Sequence, residues 1–266
     1  MGMPAAAGYV SDRRLPATAC PERDADVTAT GPNMSWLAKS GSITCGSVVA
    51  EDPKEIVRRG YDALSRRYDE EYGGHTKYRA WLGELREHIP PGGEVLDLGC
   101  GSGMPVSRDL ATAGYRVTGV DISEVQIQRA GELVPEAEFI RADITSVEFE
   151  PASFHAVVSF FALIHIPIDD QVPLLRRIRG WLRPGGLFVA TTGYWAWTGT
   201  DENWLGGGVP MWWSHADVDT YRSWIRESGL SITREEFVPE DDGGHALFWA
   251  RRPDARQLPP AKVIEC

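Results

Sequence analysis

The chain has 266 residues, enough to bury the core of an ordinary domain, and its 38 acidic against 27 basic side chains give a formal charge of −11. That charge opposes a phosphate backbone as partner, and the densest basic run, Arg176-Arg177-Ile178-Arg179 with Arg183, reads as the solvated face of a helix, so no nucleic acid partner is expected. No stretch approaches the ~20 apolar residues that cross a bilayer, and Cys20, Cys45, Cys100 and Cys266 form neither a Cys-x-x-Cys pair nor a zinc pattern; a cytoplasmic, reducing setting without a structural metal is expected.

Residues 1–51 are rich in Ala, Gly, Pro, Ser and Thr without periodicity, which predicts disorder. An ordered domain is expected over 52–252. It opens at Asp52-Pro53-Lys54-Glu55, where Asp52 can cap, Pro53 fits the first helical position and Glu55 the reciprocal capping position. Val57, Tyr61, Leu64 and Tyr68 then share a helix face, and a second amphipathic helix carries Tyr78, Trp81, Leu82 and Leu85. Together they form a helical cap over 52–90. From Val95 to Thr192 strand and helix patterns alternate, with helices at 110–114, 124–134 and 170–182, which predicts a parallel sheet covered on both faces. The segment 193–213 holds five tryptophans around Gly206-Gly207-Gly208 and reads as a lid or insert. A helix at 215–227, opened by Ser214 and closed by Gly229, leads to Leu230-Ser231-Ile232-Thr233 and, after the turn Asp241-Asp242-Gly243-Gly244, to a last strand at 246–250. Residues 253–266 should be a flexible tail.

The run Val95-Leu96-Asp97-Leu98-Gly99-Cys100-Gly101-Ser102-Gly103 joins a buried strand to a helix through three glycines, which remove Cβ atoms where the backbone turns and a ligand approaches. Its spacing is not the Gly-x-Gly-x-x-Gly of dinucleotide folds, and Asp97 puts a negative charge where a pyrophosphate would sit. Both features weigh against a nicotinamide oxidoreductase and suit a ligand carrying positive charge. Asp-Leu-Gly-Cys-Gly-Ser-Gly resembles the first motif of the class I S-adenosylmethionine-dependent methyltransferases of bacterial small-molecule type. The resemblance continues through Val117–Ser123, Phe139–Ile144, Ala156–His165 and Leu182–Leu187. It implies an α/β fold with a Rossmann-like seven-stranded sheet, mostly parallel with an antiparallel last strand, and helices on both faces.

The resemblance also implies S-adenosylmethionine as cofactor. Asp97, Gly99, Cys100, Gly101 and Gly103 would surround its methionine part, with Cys100 packing and not attacking. Asp121 would accept the ribose hydroxyls, with Ile122 against the adenine and Gln126 approaching from the next helix. Asp143 would accept from the adenine amino group, Ile144 would pack on the ring, and the carbonyl near Phe160 would receive the ammonium. Tyr61 and Tyr68 resemble aromatic residues that close over the methionine end, Tyr61 reaching the acceptor.

His165 and His215 are the candidate bases and acceptor contacts, ahead of His75 and His245, and Trp197, Trp204, Trp212 and Trp213 are the candidate walls of an acceptor pocket. Asp169-Asp170 reads as a helix cap, so no catalytic metal is expected. Ser159-Phe160-Phe161-Ala162 stands where amine-methylating nucleic-acid enzymes carry Asn/Asp-Pro-Pro-Tyr/Phe. The expected acceptor is therefore an aromatic or apolar small molecule of natural-product type. A cofactor-binding regulator without turnover is the alternative, and the oligomeric state is not legible.

Deletion of residues 1–50 should leave the melting temperature and cofactor affinity at parent values, because no apolar periodicity there can add to a core. Thermal unfolding and calorimetry of the truncated chain check this.

Overall fold

The computed structural model describes residues 51–73, 76–240 and 243–254. The expectations for 1–50, His75, Asp241-Asp242 and 255–266 lie outside the described residues.

Helix α1 spans Pro53–Tyr72 and starts as expected: the Asp52 carboxylate accepts from Lys54 N at 3.0 Å. Glu55 does not complete a reciprocal cap; it receives Arg58 Nε at 2.8 Å instead. The helix is interrupted at Leu64, whose φ of −115° and ψ of 18° are not helical. Next come α2 (Lys77–His88), β1 (Glu94–Leu98), α3 (Val106–Thr112), β2 (Arg116–Asp121), α4 (Glu124–Leu133), β3 (Glu138–Arg141) and β4 (Phe154–Ser159). The chain continues through α5 (Ile168–Trp181), β5 (Leu182–Gly193), β6 (Trp197–Asp201), β7 (Met211–His215), α6 (Val218–Glu227), β8 (Ser231–Glu240) and β9 (Gly243–Arg251).

Seven strands form one sheet in the order β3-β2-β1-β4-β5-β9-β8, parallel throughout except for β9, which runs antiparallel between β5 and β8. Alternation along the strands divides the core in two. Leu96, Val157 and Phe188 face Leu174, Ile178 and Tyr221 of α5 and α6. Val95, Val158 and Val189 face Trp81, Leu85 and Leu110 of α2 and α3. The chain runs outward from β1 to β3 and then crosses back to β4, so β1 and β4 border the point where the strand order reverses. Ligands bind there, outside the carboxyl ends of the strands.

Four expectations need correction. The helix expected at 110–114 begins at Val106 and ends at Thr112. The helix expected from 215 begins at Val218, because Asp217 and not Ser214 provides the cap, accepting from Thr220 N at 2.8 Å. Ser214 and His215 instead end β7, which pairs with β6 in a separate two-stranded hairpin, so 193–213 is no irregular loop. β8 extends to Glu240; Thr233, Arg234, Glu235 and Glu236 hide it from a hydrophobicity reading, as suits a sheet edge kept charged against further pairing.

Gly99 holds the turn after β1 at φ +75°, and a Cβ there would overlap the Cβ of Ala162, which follows β4. Gly114 has a similar φ of +85° with nothing within 4 Å. Gly114→Ala should therefore cost only the ~1–2 kcal/mol of left-handed backbone, whereas Gly99→Ala should cost clearly more and also weaken cofactor binding. Denaturant unfolding of the two variants makes the comparison.

Candidate functional site

A cleft opens at the carboxyl edge of β1, β2 and β4, roofed by α1. Among the residues expected to bind cofactor, Tyr68, Gly99, Gly101, Asp121, Ile122, Gln126, Asp143, Ile144 and Phe160 line it, and Tyr61 and His165 join them. Three do not. Asp97 lies behind the glycine loop, 2% exposed, its Oδ2 accepting from Ser107 Oγ at 2.6 Å, and burial pushes its carboxyl up to about 7. Cys100 is turned toward Gly119, where an added Cβ would come within 2.8 Å of its sulfur. Gly103 faces Val134 and Phe139. Cys100 thus packs the loop against β2, and Gly103 lets it approach the end of α4 and β3.

The polar groups of the cleft retain unused capacity. Asp121 accepts Gly101 N on Oδ2 at 3.0 Å and Ser123 N on Oδ1 at 2.9 Å. An ionised carboxylate has about four accepting sites, so room is left for a diol. Burial pushes the Asp121 carboxyl up to about 6, against the pull of those N–H groups. Asp143 accepts Lys54 Nζ and Thr145 Oγ1 on Oδ2, both at 2.9 Å, and Thr145 N on Oδ1 at 2.8 Å. One further donor, such as an aromatic amino group, can be accommodated. Burial opposes the charge on Asp143, but the Thr145 and Lys54 donors outweigh it and hold the carboxyl below its ordinary value.

Gln126 has a more specific signature. Ser123 caps α4 by accepting Gln126 N at 3.1 Å, which fixes where the side chain starts. Its Oε1 accepts from Ser65 Oγ at 2.5 Å, and Ser65 in turn accepts from Arg129. Nε2 lies at the cleft wall beside Gly101, buried and without a protein partner. Such an orphan donor calls for a ligand acceptor. The donor set and the glycine cradle fit the ribose, adenine and methionine parts of S-adenosylmethionine.

Lys54 was not anticipated. Besides Asp143, its ammonium reaches Asp170 at 2.7 Å and Thr145 Oγ1 at 2.7 Å. Its position was nonetheless readable, since it lies seven residues before Tyr61 on the face that carries Val57, Tyr61 and Tyr68. Asp170 thus sits in the first turn of α5 as an ion-pair partner. Among the described residues, no group of three or more His, Cys, Asp or Glu is placed to hold a metal ion.

A second cavity adjoins the cleft. Tyr61, Tyr68, Phe161 and His165 line both. Phe161 adopts the left-handed region at φ +59°, a conformation rare outside glycine that marks functional sites when it occurs. Trp197, Trp204, Trp213 and His215 complete the aromatic wall. Trp212 does not line it; its carbonyl accepts from His165 Nδ1 at 2.7 Å. That bond fixes the tautomer: Nδ1 carries the proton, and Nε2 accepts from the Tyr61 hydroxyl at 3.1 Å. Burial pushes His165 down to about 4. His215 donates from Nδ1 to Trp195 O at 2.7 Å, leaving Nε2 as the nitrogen able to take a proton. Lys77, Glu240 and His245 line the same cavity; Lys77 and Glu240 stand 163 residues apart, and no local spacing joins them.

Donors from a diol stabilise ionised Asp121, so a ligand must pull the carboxyl below its empty-cleft value near 6. Below that pH a proton has to leave first. Cofactor affinity should fall as pH drops through 6, approaching tenfold per pH unit, with protons released on binding. Asp121→Ala should weaken binding by about 1 to 3 kcal/mol and flatten this dependence. Calorimetry of S-adenosylhomocysteine binding between pH 5 and 7.5 measures both.

Comparison with known proteins agrees with this geometry. Residues 95–186 match the family described as methyltransferase domain. A sterol 24-C-methyltransferase of Gibberella zeae is 30% identical over 255 residues, covering 78% of this chain and 65% of the relative. The 27-O-demethylrifamycin SV methyltransferase of Amycolatopsis mediterranei is 29% identical, covering 71% of this chain and 78% of the relative. The crystal structure of an S-adenosylmethionine-dependent methyltransferase from Mesorhizobium loti superposes with a TM-score of 0.55 at 26% identity, covering 67% of this chain and 99% of its own. Motif order, strand order and these likenesses coincide in supporting a class I S-adenosylmethionine-dependent methyltransferase.

Proposed function

We propose that the chain transfers a methyl group from S-adenosylmethionine to an aromatic or apolar small molecule held in the second cavity, as a tailoring step on a natural product. The observation that carries this is the shared wall: Tyr61, Tyr68, Phe161 and His165 line both spaces, so an occupant of one lies against an occupant of the other. Two relatives are named for a sterol and for a demethylrifamycin, which supports a small-molecule acceptor. The cysteine pattern supports a reducing, cytoplasmic setting, and among the described residues no helix is long and apolar enough to cross a membrane.

S-adenosylmethionine supplies a methyl group already activated by a positively charged sulfur. The chain's own task is alignment and exclusion of water. Asp121 accepts from the ribose hydroxyls, Asp143 from the adenine amino group, and Gln126 Nε2 donates to a cofactor oxygen. Ile122 and Ile144 flank the adenine, while the backbone at Gly99, Gly101 and Phe160 meets the methionine part. Asp97 stays behind the loop, where it accepts from Ser107 and ties the start of α3 to the end of β1.

Geometry separates the two histidines. His165, with both nitrogens engaged and its basicity depressed by burial, is a positioning residue: it holds the Tyr61 hydroxyl proton away from the reacting centre and leaves the oxygen lone pairs facing it. His215 is the base for an acceptor that must lose a proton, with Nε2 at the cavity wall. Trp213 packs 5.5 Å from the His165 ring and contacts the acceptor, whereas Trp204, 6% exposed among Val57, Tyr61 and Leu64, also fixes the hairpin to α1.

Methyl-labelled cofactor offered with a panel of phenolic and polyketide-like acceptors should give labelled product. Tight cofactor binding with no transfer on any acceptor would favour the regulator reading. With a hydroxyl acceptor, His215→Ala should slow the chemical step by ~100-fold or more, partly recovered at high pH. His165→Ala should lower the rate independently of pH and reduce stability by ~1–3 kcal/mol, since Tyr61 and the Trp212 carbonyl lose their partner.

A further inference from the structure

One end of the aromatic cavity is closed by an ionic group with no task in cofactor binding. Lys77 of α2, Glu240 at the end of β8 and His245 of β9 all line it. Glu240 Oε1 is paired with the Lys77 ammonium, and Oε2 lies 3.1 Å from His245 Nε2. On the far side of the ring, His245 Nδ1 faces the carbonyl oxygen of Thr192 at 3.2 Å. Each ring nitrogen thus meets an oxygen atom. Burial opposes the charge on Glu240, but the donors from His245 and Lys77 outweigh it and hold its carboxyl at about 2.

An exposed ion pair would be an ordinary solvated contact. This group stands in the wall of an aromatic cavity, half-shielded from solvent, and its donors outnumber its carboxylate two to one. Both Glu240 oxygens are occupied. The Lys77 ammonium has three N–H donors and gives one to Glu240. It also lies over the face of Phe161, 4.3 Å from the ring centroid, and Phe161 borders the cofactor cleft as well. The other titratable rings facing the cavity are His165 and His215, both pushed toward the neutral form by burial, and the tyrosines Tyr61, Tyr68, Tyr72 and Tyr78. Among the described residues the cavity end thus holds an ammonium with N–H donors beyond the one it gives to Glu240, in a chain that carries −11 overall.

We propose that this end of the cavity recognises an anionic oxygen group on the acceptor, a carboxylate or an acidic phenol or enol, with Lys77 as the direct contact and Glu240 and His245 as the residues that position it. The proposal rests on the cavity being the acceptor site. The flat or apolar body of the acceptor then lies among Tyr61, Trp204 and Trp213, and its charge fixes which end points toward the cofactor cleft. A cationic acceptor fits poorly, because among the described residues Glu240 is the carboxylate facing this cavity and two donors already share it.

The test uses the full chain saturated with S-adenosylhomocysteine, tryptophan fluorescence as readout, and 2-naphthoate with 2-naphthamide as probes that share one flat body and differ in charge. The parent chain should bind the acid at least ~10-fold more tightly than the amide, with the preference shrinking at high salt. Lys77→Met should abolish the preference and keep amide affinity, while Lys77→Arg, which retains the charge, should keep the preference and so separate loss of charge from loss of fold. Glu240→Gln removes the competing carboxylate and should tighten naphthoate binding. Equal affinity for acid and amide in the parent chain, a preference that survives Lys77→Met, or weaker naphthoate binding in Glu240→Gln would each overturn the proposal. Binding of neither probe would remove the cavity as an acceptor site and the proposal with it. Failure to bind S-adenosylhomocysteine at the outset would overturn the cofactor reading itself, so the two failures are distinguishable.

Discussion

The site depends on one helix laid across the strand ends and tied down by charge. α1 is anchored through Lys54 to Asp143 and Asp170, through Asp62 to Ser123, through Ser65 to Gln126, and through Asp69 to Ser102 and Arg129. These contacts reach the loops after β1, β2 and β3 and the start of α5. Each is a polar contact of modest net worth. Arranged along one helix, they set the height of the roof over the cleft and bring Tyr61 and Tyr68 to the wall between the two cavities. A loosened α1 would disturb the cofactor cleft and the acceptor cavity together.

The chain Trp212 carbonyl, His165, Tyr61 shows how burial alters a residue's role. A histidine after the fourth strand invites a reading as base, yet a ring that donates to a carbonyl on one side and accepts a phenol on the other has no proton capacity left for an acceptor. Burial also makes the Tyr61 phenol reluctant to ionise, holding it well above its ordinary value. The pair is therefore suited to orientation, and proton removal is proposed for His215 on the hairpin.

The sequence is most informative where local rules act alone. Asp52 and Pro53 start α1 as capping chemistry requires, and the near-continuous apolar runs in β1 and β4 are those of strands covered on both faces. The glycine loop, Asp121 and Asp143 come to one edge because three βα units place them there. Legibility fails where tertiary context decides. Residues 193–213 read as a lid or insert without strands because tryptophans and glycines obscure a period of two, and β8 is hidden by its charged edge. Asp97, Cys100 and Gly103 belong to the motif but sit behind the backbone that meets the ligand. Lys77 and Glu240 meet only once α2 and the β8–β9 pair have docked on the sheet.

The hairpin of β6 and β7 pairs only with itself and stands outside the seven-stranded sheet. Most residues of the cofactor cleft come from α1 and the segment between β1 and α5, whereas the hairpin supplies Trp197, Trp204, Trp213 and His215 to the other cavity alone. The two halves of the site can thus diverge at different rates. With the acceptor held in that cavity as proposed, substitutions in the hairpin would reshape what is methylated without disturbing the ladder hydrogen bonds of the main sheet, so a single cofactor-binding chassis could be retuned for new acceptors by drift in about twenty residues.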